Sequence, residues 1–233
     1  MTSAAVMQPY LFPYLGYYQL ANSVDEFVFF DDVNFIKRGF INRNSILKQS
    51  EAMRFTLPVQ KASQNRLIKD HYFTEDSSGV LSQLREAYAG APQFSAVFPV
   101  VQSVLDDADR SVVNITTNSV KSIFEYLGLS KSFSLSSSIA KSDTSRGQDK
   151  IVEICCAKDA SVYVNAIGGK DLYDSAAFSS HGIELKFIRM LDKPYAQPAR
   201  PFVPNLSIID ALMNCTKAEV VELLGAFELE GAT

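Results

Sequence analysis

Residues 4–32 decide the fold of this chain, and they read AAVMQPYLFPYLGYYQLANSVDEFVFFDD. The apolar run over residues 4–7 ends at Gln8, as a buried strand ends at a loop, and the prolines that follow keep the backbone extended. The apolar spacing of residues 15–22 predicts a short helix. Residues 26–30 then form a second apolar run that is typical of a buried strand. Strand, loop, helix and strand within about thirty residues predict a βαβ unit with two parallel strands.

The rest of the chain predicts more α/β structure, interrupted by helices. Residues 75–130 have almost purely helical apolar spacing, whereas residues 133–188 alternate between strand and helix patterns. We therefore expect an α/β fold with a mainly parallel sheet, flanking helices and a helical insertion in the middle third. Residues 1–233 are expected to form a single α/β domain, with residues 75–130 as its insertion or cap. The remaining predicted elements are strands over residues 54–59, 133–139, 161–165 and 183–188, and helices over residues 77–89, 98–105, 112–127, 147–157, 172–178, 208–214 and 217–224.

The composition argues against several classes of protein. Apolar residues make up 47% and charged residues 21% of the 233 positions, as in ordinary globular proteins. The formal net charge of −4 argues against a protein that binds nucleic acid through its overall charge, although Lys37, Arg38 and Arg43 leave room for a local basic patch. The sequence has no apolar run long enough for a membrane span and no signal-peptide pattern. Three cysteines without zinc-site spacing are typical of free thiols in a reducing compartment, so we expect a cytoplasmic protein.

Candidate catalytic residues follow the two N-terminal strands. Gln8 comes after the first strand, and Asp31 and Asp32 come after the second. Ligands of open α/β sheets bind at the carboxyl ends of such strands. Because a carboxylate there can act as a base, we predict catalytic roles for Asp31, Asp32 and the nearby Lys37. The alternative is an aspartate that only caps a turn.

A cluster of hydrogen-bond donors follows the acidic pair. Guanidinium groups bind phosphate or carboxylate through two parallel hydrogen bonds. We predict that Arg38, Asn42, Arg43 and Asn44 bind substrate, together with Gln8, Tyr10 and Tyr14 from a loop able to grip a ligand. The alternative is a solvated loop whose cations pair with Asp31 or Asp32.

Two later segments add candidates for substrate binding. Gly168 and Gly169 follow a predicted strand, where a turn can cradle phosphate, and Tyr173 could line the same crevice. A simple tight turn is the alternative, because the spacing of a dinucleotide fingerprint or a P-loop is missing. The second segment contributes Gln197, Asn205, Ser207 and Asp210, of which Asn205 or Ser207 also fits a helix N-cap.

Other types of site are disfavoured. No metal site is predicted, because no third acidic ligand is spaced near Asp31 and Asp32. His71 and His181 have no neighbouring nucleophile in a known motif, which argues against a Ser-His-Asp hydrolase. His181 beside Gly182 is typical of a helix C-terminus, whereas His71 has no assigned role.

Four motifs in this chain resemble the WbqC-like family. They are QPYLFPYLGYYQL at residues 8–20, DDVNFIKR at 31–38, NRN at 42–44 and FVPNLSIID at 202–210. The resemblance covers most of the chain, about residues 6–214. Members of this family are associated with O-antigen and other surface-polysaccharide gene clusters of bacteria, and some are described as glycine transferases that act on amino sugars. The resemblance therefore implies a role in the biosynthesis of a surface polysaccharide such as lipopolysaccharide.

The leading expectation combines this resemblance with the candidate residues. It is a transferase that attaches a small acyl or aminoacyl group, such as glycyl, to the amine of a nucleotide-linked amino sugar. Its partners would be that sugar and an activated acid or amino acid, supplied as a free acid, a thioester or an aminoacyl-tRNA, and no cofactor is identified. Two alternatives stay open: an ATP-dependent adenylate-forming or nucleotidyl-transferring enzyme, and a non-catalytic sugar-nucleotide binding module.

Overall fold

A computed structural model describes residues 1–142, 144–191 and 193–232. Its strands are β1 (Thr2–Met7), β2 (Glu26–Phe29), β3 (Arg43–Lys48), β4 (Glu51–Thr56), β5 (Ser132–Leu135), β6 (Ala160–Ala166), β7 (Glu184–Met190) and β8 (Phe227–Gly231). Six of them form one sheet in the order β5-β2-β1-β6-β7-β8. Within it β5, β2, β1, β6 and β7 are parallel, and β8 pairs antiparallel with β7. The predicted α/β fold with a mainly parallel sheet is confirmed.

The order of the strands defines where a ligand would bind. The chain builds outward from β1 through β2 to β5, then returns to the other side of β1 with β6 and continues to β7. The direction of building therefore reverses between β1 and β6. In open α/β sheets the crevice outside the carboxyl ends of the strands at such a reversal is the usual ligand site. The predicted βαβ unit lies at this point, because β1 and β2 pair in parallel with Val6 opposite Val28.

The sheet is covered by helices on both faces. The helices are α1 (Leu15–Asn22), α2 (Ser78–Tyr88), α3 (Phe94–Leu105), α4 (Val112–Tyr126), α5 (Gly147–Ala157), α6 (Ser175–Ser179), α7 (Ile208–Asn214) and α8 (Lys217–Leu224), with short 3-10 helices over Ile68–Asp70, Ser136–Ser138 and Ile167–Leu172. Successive side chains of a strand point to opposite faces. Phe27 and Phe29 accordingly join the core formed with α1, α3, α4, α7 and α8, and Val28 joins the core formed with α5 and α6.

The middle third of the chain is helical, as its apolar spacing predicts. α2, α3 and α4 occupy most of residues 78–126, and the ring of Phe124 on α4 stacks on Tyr18 of α1 at 5.9 Å between centroids. The Tyr18 hydroxyl also donates to the carbonyl oxygen of Ser119 at 2.9 Å. These contacts join the helical segment to the first βαβ unit. The single-domain organisation, and the role of this segment as an insertion or cap, stay predictions.

Several details differ from the sequence-based prediction. Residues 42–44, expected as a loop, lead into β3, which pairs antiparallel with β4 in a separate hairpin. The edge strand β8 was not predicted. The helix expected over residues 172–178 is replaced by the 3-10 helix Ile167–Leu172 and the short α6, because the carboxylate of Asp174 accepts from Ala176 N at 3.0 Å and starts α6 there.

Candidate functional site

Two pockets open at the carboxyl ends of the parallel strands, which we call the carboxyl edge of the main sheet. The first, which we call the lysine pocket, has a volume of about 600 Å³ and lies beyond the ends of β2 and β5. Four of its lining residues are cationic, and among the described residues that line it Asp32 is the one acidic side chain. Its lining consists of Phe30, Asp32, Val33, Asn34, Leu67, Lys69, Ser137, Ile139, Lys141, Ser142, Arg146, Gly147 and Lys150. The pocket also lies at the N-terminus of α5, where the backbone N–H groups favour an anion.

Asp31 lies behind this pocket and holds one of its lining residues. Its side chain is 1% exposed and accepts two hydrogen bonds from Ser137, from the backbone N at 2.9 Å and from Oγ at 2.6 Å. Ser137 itself is exposed and lines the lysine pocket. A hydroxyl that donates to a buried carboxylate keeps its lone pairs for another donor. The Asp31–Ser137 pair can therefore take a proton from a group bound in the pocket.

Asp32 has a different environment, in which two lysines surround its carboxylate. Oδ2 lies 2.9 Å from Lys141 Nζ and 3.0 Å from Lys150 Nζ, and Oδ1 accepts from Ser136 Oγ at 2.7 Å. Burial by itself would raise the pKa of Asp32, but the hydrogen bonds from Ser136, Lys141 and Lys150 outweigh it and lower the pKa. A carboxylate held in this way is a weak base, so it positions cations instead of accepting protons.

The lowered pKa of Asp32 predicts a pH-dependent contribution to stability. A carboxyl group whose pKa is lower in the folded than in the unfolded chain stabilises the fold above its unfolded value, about 3.9. This contribution is lost as the pH falls through the folded value. The difference in unfolding free energy between the wild type and Asp32→Asn should thus be constant above about pH 5 and shrink below about pH 4.

Urea denaturation between about pH 3 and pH 7 would measure this difference. The exposed Asp171, in the 3-10 helix after β6, provides a control, since Asp171→Asn should show no such trend. A difference for Asp32→Asn that keeps its size down to about pH 3 would contradict the role of the two ion pairs.

The second pocket, which we call the aromatic pocket, lies at the end of β7. Its volume is about 550 Å³, and it is lined by Tyr14, Leu15, Met190, Leu191, Lys193, Pro194, Tyr195, Phe202, Pro204, Asn205, Leu206, Ser207, Ile208 and Ala211. Three of these side chains are aromatic, and the rings of Tyr195 and Phe202 meet edge to face at 5.1 Å between centroids. Such a wall suits a flat, partly apolar ligand. Tyr14, Asn205 and Ser207 from the predicted set line this pocket.

Asp210 lies behind the aromatic pocket in a fully buried polar network. Its side chain is 0% exposed and accepts from the hydroxyl groups of Tyr88 and Tyr195, each at 2.7 Å, and from Gln197 Nε2 at 2.8 Å. Burial raises the pKa of both phenols, and the negative charge of Asp210 raises it further. Gln197 also bonds both the N and the O of Val203, at 2.8 and 3.2 Å. The network thus joins α2, α7 and the loop that carries the aromatic wall.

The N-terminal loop is fixed through an unusual backbone conformation at Phe12. This buried residue has a φ of 41°, a region that costs energy for a residue with a bulky side chain. Its carbonyl oxygen accepts from Asn44 Nδ2 at 2.8 Å and from Ser207 Oγ at 2.6 Å, and its N donates to Ser119 Oγ at 3.0 Å. Asn44 and Ser207 therefore hold the loop, and Ser207 also caps α7. Their contact with a substrate stays a prediction.

The other candidates of the first segment lie outside both pockets. Lys37 and Arg38 are exposed on the loop after β2, and the Asn42 amide donates to Leu57 O at 3.0 Å in the hairpin. Arg43 Nε donates to Gly39 O at 2.9 Å. The alternative prediction was that these cations pair with Asp31 or Asp32. In the structure the carboxylate of Asp32 pairs with Lys141 and Lys150 instead.

The remaining candidates flank the reversal point between β1 and β6. Gln8 directly follows β1 and Tyr10 lies two residues later, and the carbonyl oxygen of Gln8 accepts from the Tyr17 hydroxyl at 2.9 Å. Gly168 and Gly169 lie in the 3-10 helix after β6, and the Tyr173 hydroxyl lies 3.4 Å from that of Tyr163. The carboxyl edge thus brings all of these residues to one side of the sheet, between the lysine pocket and the aromatic pocket.

The sequence of this chain is similar to those of known proteins. The model of the WbqC-like protein family matches residues 8–222. The chain belongs to the WbqC-like family. This WbqC-like protein is also 25% identical over 219 residues to an uncharacterized protein of Mycobacterium tuberculosis, a match that covers 92% of this chain and 94% of the relative. No solved structure matches the chain.

Several pocket residues of this WbqC-like protein were missed in the sequence. Ser136 and Ser137 belong to a serine-rich run that was predicted as strand over residues 133–139 but turns into a 3-10 helix after Leu135. Lys141 and Lys150 lie more than one hundred residues after Asp32 and meet it because β5 pairs with β2. The start of α5 beside a serine-rich strand end was the available signal, since a helix N-terminus that follows a parallel strand commonly binds anions.

The two histidines of this WbqC-like protein serve the structure. His71 is buried, with Nδ1 2.8 Å from Leu67 O and Nε2 3.1 Å from Ser63 N. Because a carbonyl oxygen only accepts and a backbone N–H only donates, the ring is neutral with its proton on Nδ1. His181 Nδ1 lies 3.0 Å from Ala177 O at the end of α6, beside Gly182 with a φ of 72°.

Residues 1–142, 144–191 and 193–232 contain no group of three His, Cys, Asp or Glu side chains placed to hold a metal ion. No helix in this part of the chain combines the length and the apolar character needed to cross a membrane.

Proposed function

We propose that this protein transfers a small acyl or aminoacyl group, such as glycyl, to the amine of a nucleotide-linked amino sugar in the cytoplasm, for the synthesis of a surface polysaccharide. One observation carries the proposal. A carboxylate–hydroxyl pair, Asp31 and Ser137, opens onto a pocket with an excess of cations at the carboxyl edge of a nucleotide-binding type of sheet. Membership of the WbqC-like family supports the same pathway.

The lysine pocket suits the phosphate groups of such a substrate. Lys150 Nζ bonds the carboxylate and the backbone O of Asp32, which leaves one of its three N–H donors for a ligand. Lys69 lines the pocket with an exposed side chain. Lys141, by contrast, bonds Asp32, Ser136 O and Ile139 O and is fully used within the protein. Lys69 and Lys150 are the cations that we assign to phosphate.

The aromatic pocket suits the base of the same substrate. It lies at the end of β7, three strand spacings from β2, or about 14 Å along the sheet edge. Aromatic side chains stack on any nucleobase. We assign Tyr14, Tyr195 and Phe202 to the base, which places the loop after β1 alongside the part of the substrate between base and phosphate.

The chemical step needs a proton acceptor and no covalent intermediate. The amine of the sugar attacks the carbonyl carbon of the acyl donor, so that a carbon–nitrogen bond forms. The bond from that carbon to the donor's oxygen or sulfur breaks, and its electron pair leaves with the carrier. Ser137 Oγ accepts the proton of the amine while its own proton passes to Asp31. Asp32, which was predicted as a second catalytic carboxylate, is assigned to positioning Lys141 and Lys150.

A transfer assay tests this function. The protein would be incubated with nucleotide-linked amino sugars and three glycine donors: glycine with ATP, a glycyl thioester and glycyl-tRNA. We expect a product whose mass is increased by one glycyl group with at least one donor. No increment with any donor, together with ATP binding in calorimetry, would favour an adenylate-forming or nucleotidyl-transferring enzyme. Sugar-nucleotide binding without any turnover would favour a binding module.

A further inference from the structure

Positive charge is concentrated in one segment of the chain. Residues 33–69 carry eight Lys and Arg side chains and one Glu, a formal charge of +7, although the whole chain has a net charge of −4. The rest of the chain therefore carries a formal charge of −11. Such a separation creates a local positive potential that the net charge hides.

Three arginines form the centre of this charge. In the hairpin, Ser45 on β3 lies opposite Arg54 on β4, and Arg43 lies two residues before Ser45 on the same face. Arg43 and Arg54 are therefore diagonal neighbours. Arg43 is also bonded to Gly39 next to Arg38. Partial desolvation lowers the pKa of Arg43, and the charges of Arg54 and Arg38 lower it further.

Among residues 1–142, 144–191 and 193–232, these three arginines have no acidic partner. In the described residues, no carboxylate oxygen lies within 4.0 Å of the guanidinium groups of Arg38, Arg43 or Arg54. Lys48 in the same hairpin differs, because its ammonium lies 2.8 Å from Glu86. Like charges held together without a counterion repel one another. An anion with several charges would relieve this repulsion.

Exposed apolar side chains lie beside the arginines. Phe40 is 52% exposed and Ile36 is 45% exposed, on the loop between Asp32 and β3. The Phe40 ring lies 5.8 Å from that of Tyr10, which belongs to the loop after β1 at the carboxyl edge. A cationic surface with an exposed aromatic ring is the combination that binds single-stranded nucleic acids, since bases stack on the ring while arginines bind phosphates.

The charged segment reaches the lysine pocket. Val33, Asn34, Leu67 and Lys69 all belong to it and line the pocket. The backbone joins these two stretches, because Phe35 N donates to Arg66 O at 2.9 Å and Ile68 N donates to Val33 O at 2.8 Å. A strand bound along the arginines could thus place its end in the pocket.

We infer that residues 33–69 form a binding surface for a single-stranded RNA end, and hence that the acyl donor of the proposed reaction is an aminoacyl-tRNA. The assignment of the donor rests on the proposed function, whereas the RNA surface does not. With this donor the ester bond to the terminal ribose breaks, and the ribose oxygen leaves with the electron pair and takes a proton. An anionic membrane surface is disfavoured because only two apolar side chains, Ile36 and Phe40, accompany the charges, which is little area for insertion.

Fluorescence anisotropy with labelled deacylated tRNA tests the surface. The double variant Arg38→Gln/Arg54→Gln changes two exposed side chains and leaves the Arg43–Gly39 hydrogen bond in place. We expect it to weaken binding about 100-fold at low salt, since one charged hydrogen bond is worth about 10-fold or more. The slope of log K against log salt should fall in magnitude by about 1.4. Phe40→Ala should weaken binding about 10-fold without changing this slope.

The matched control removes the same charge elsewhere. Lys186→Gln/Lys217→Gln changes two cations outside the segment, and it should leave both affinity and slope nearly unchanged. Equal weakening by the two double variants would show binding by overall charge and overturn the inference. Stronger binding to phosphatidylserine vesicles than to tRNA, lost in Phe40→Ala, would overturn it in favour of a membrane surface. Thermal unfolding of each variant verifies that the fold is retained.

The donor is tested separately from the surface. Glycyl transfer from glycyl-tRNA that the arginine double variant slows, with transfer from a glycyl thioester unchanged, supports the inference. Transfer from the thioester with no tRNA binding overturns the inference and leaves the proposed function standing. Specific tRNA binding with no transfer from any donor supports the RNA surface, overturns the donor assignment and contradicts the proposed function.

Discussion

Asp31→Asn is expected to lower the turnover number of glycyl transfer by about 100-fold or more. The amide keeps the shape of the side chain and can still accept a hydrogen bond from Ser137. It carries no charge, however, and does not accept a proton at neutral pH. Because the proposed step passes a proton from the substrate amine through Ser137 Oγ to Asp31, the loss should fall on the turnover number and not on the Michaelis constant. Mass-detected product formation at saturating substrate would measure it.

A matched control lies at the other end of β2. Asp25 lies just before β2 and accepts hydrogen bonds from the backbone N and the Oγ of Ser3, each at 2.8 Å, so its bonding pattern is that of Asp31 with Ser137. Asp25 lies at the amino ends of the parallel strands, opposite the carboxyl edge, so Asp25→Asn should leave turnover unchanged. Ser137→Ala should reproduce the defect of Asp31→Asn, and the double variant should be no slower than either. Full turnover in Ser137→Ala would remove the pair from the mechanism.

Asp210→Ala is expected to lower the free energy of unfolding by about 3 to 5 kcal/mol. The substitution leaves two phenol hydroxyls and one amide without their acceptor at a site that is 0% exposed. Each buried donor without a partner costs about 1 to 3 kcal/mol, and partial collapse of the cavity recovers some of that cost. For a chain of this length the melting temperature should fall by about 10 °C.

Calorimetry or circular dichroism would measure the shift. Asp171→Ala, at an exposed position, should change the unfolding free energy by less than about 0.5 kcal/mol. Tyr195→Phe should lose about 1 kcal/mol, since it removes a donor together with its bond. Tyr88→Phe should lose about 2 kcal/mol, because the Tyr88 hydroxyl also accepts from the buried N of Leu47 at 3.0 Å. If Asp210→Ala cost no more than either of them, the carboxylate would not be the centre of the network.

The fold was largely readable from the sequence where apolar runs are continuous. β1, α1 and β2 lie almost where residues 4–30 predict them, because buried parallel strands are uninterrupted apolar runs and Pro9 and Pro13 mark the loop. β3 was not predicted because Asn44, a polar residue, occupies a buried position of the strand. Its side-chain amide donates to the carbonyl oxygens of Leu11 and Phe12. β8 was not predicted because its alternation of Phe227 and Leu229 with Glu228 and Glu230 is only four residues long. The two glutamates pair with Arg189 at the exposed side of the sheet.

The candidate site was readable only in part, for a geometric reason. Asp31 could be placed at a strand end from local pattern alone, and the structure puts it there. Its partner Ser137 lies 106 residues later and is reached only through the pairing of β5 with β2, which no local pattern encodes. Polar residues such as Gln197 and Ser207 look alike in a sequence whether they hold the backbone or a ligand. In the structure both side chains hold the backbone: Gln197 Oε1 accepts from Val203 N, and Ser207 Oγ donates to Phe12 O.

The pairing of β5 with β2 also bears on how the chain acquires its pocket. β1 and β2 are close in sequence and can pair early, whereas the contacts of Asp32 with Lys141 and Lys150 close loops of more than one hundred residues. Long loops close late in folding, since the chain loses entropy on closing the loop before the contacts that stabilise the closed loop have formed. During synthesis on the ribosome, the motif-rich first third would therefore emerge and begin to fold long before it could hold a ligand. A nascent or truncated chain that ends before residue 150 would lack Lys150 and be inactive, so that turnover is confined to chains that contain at least the first 150 of the 233 residues.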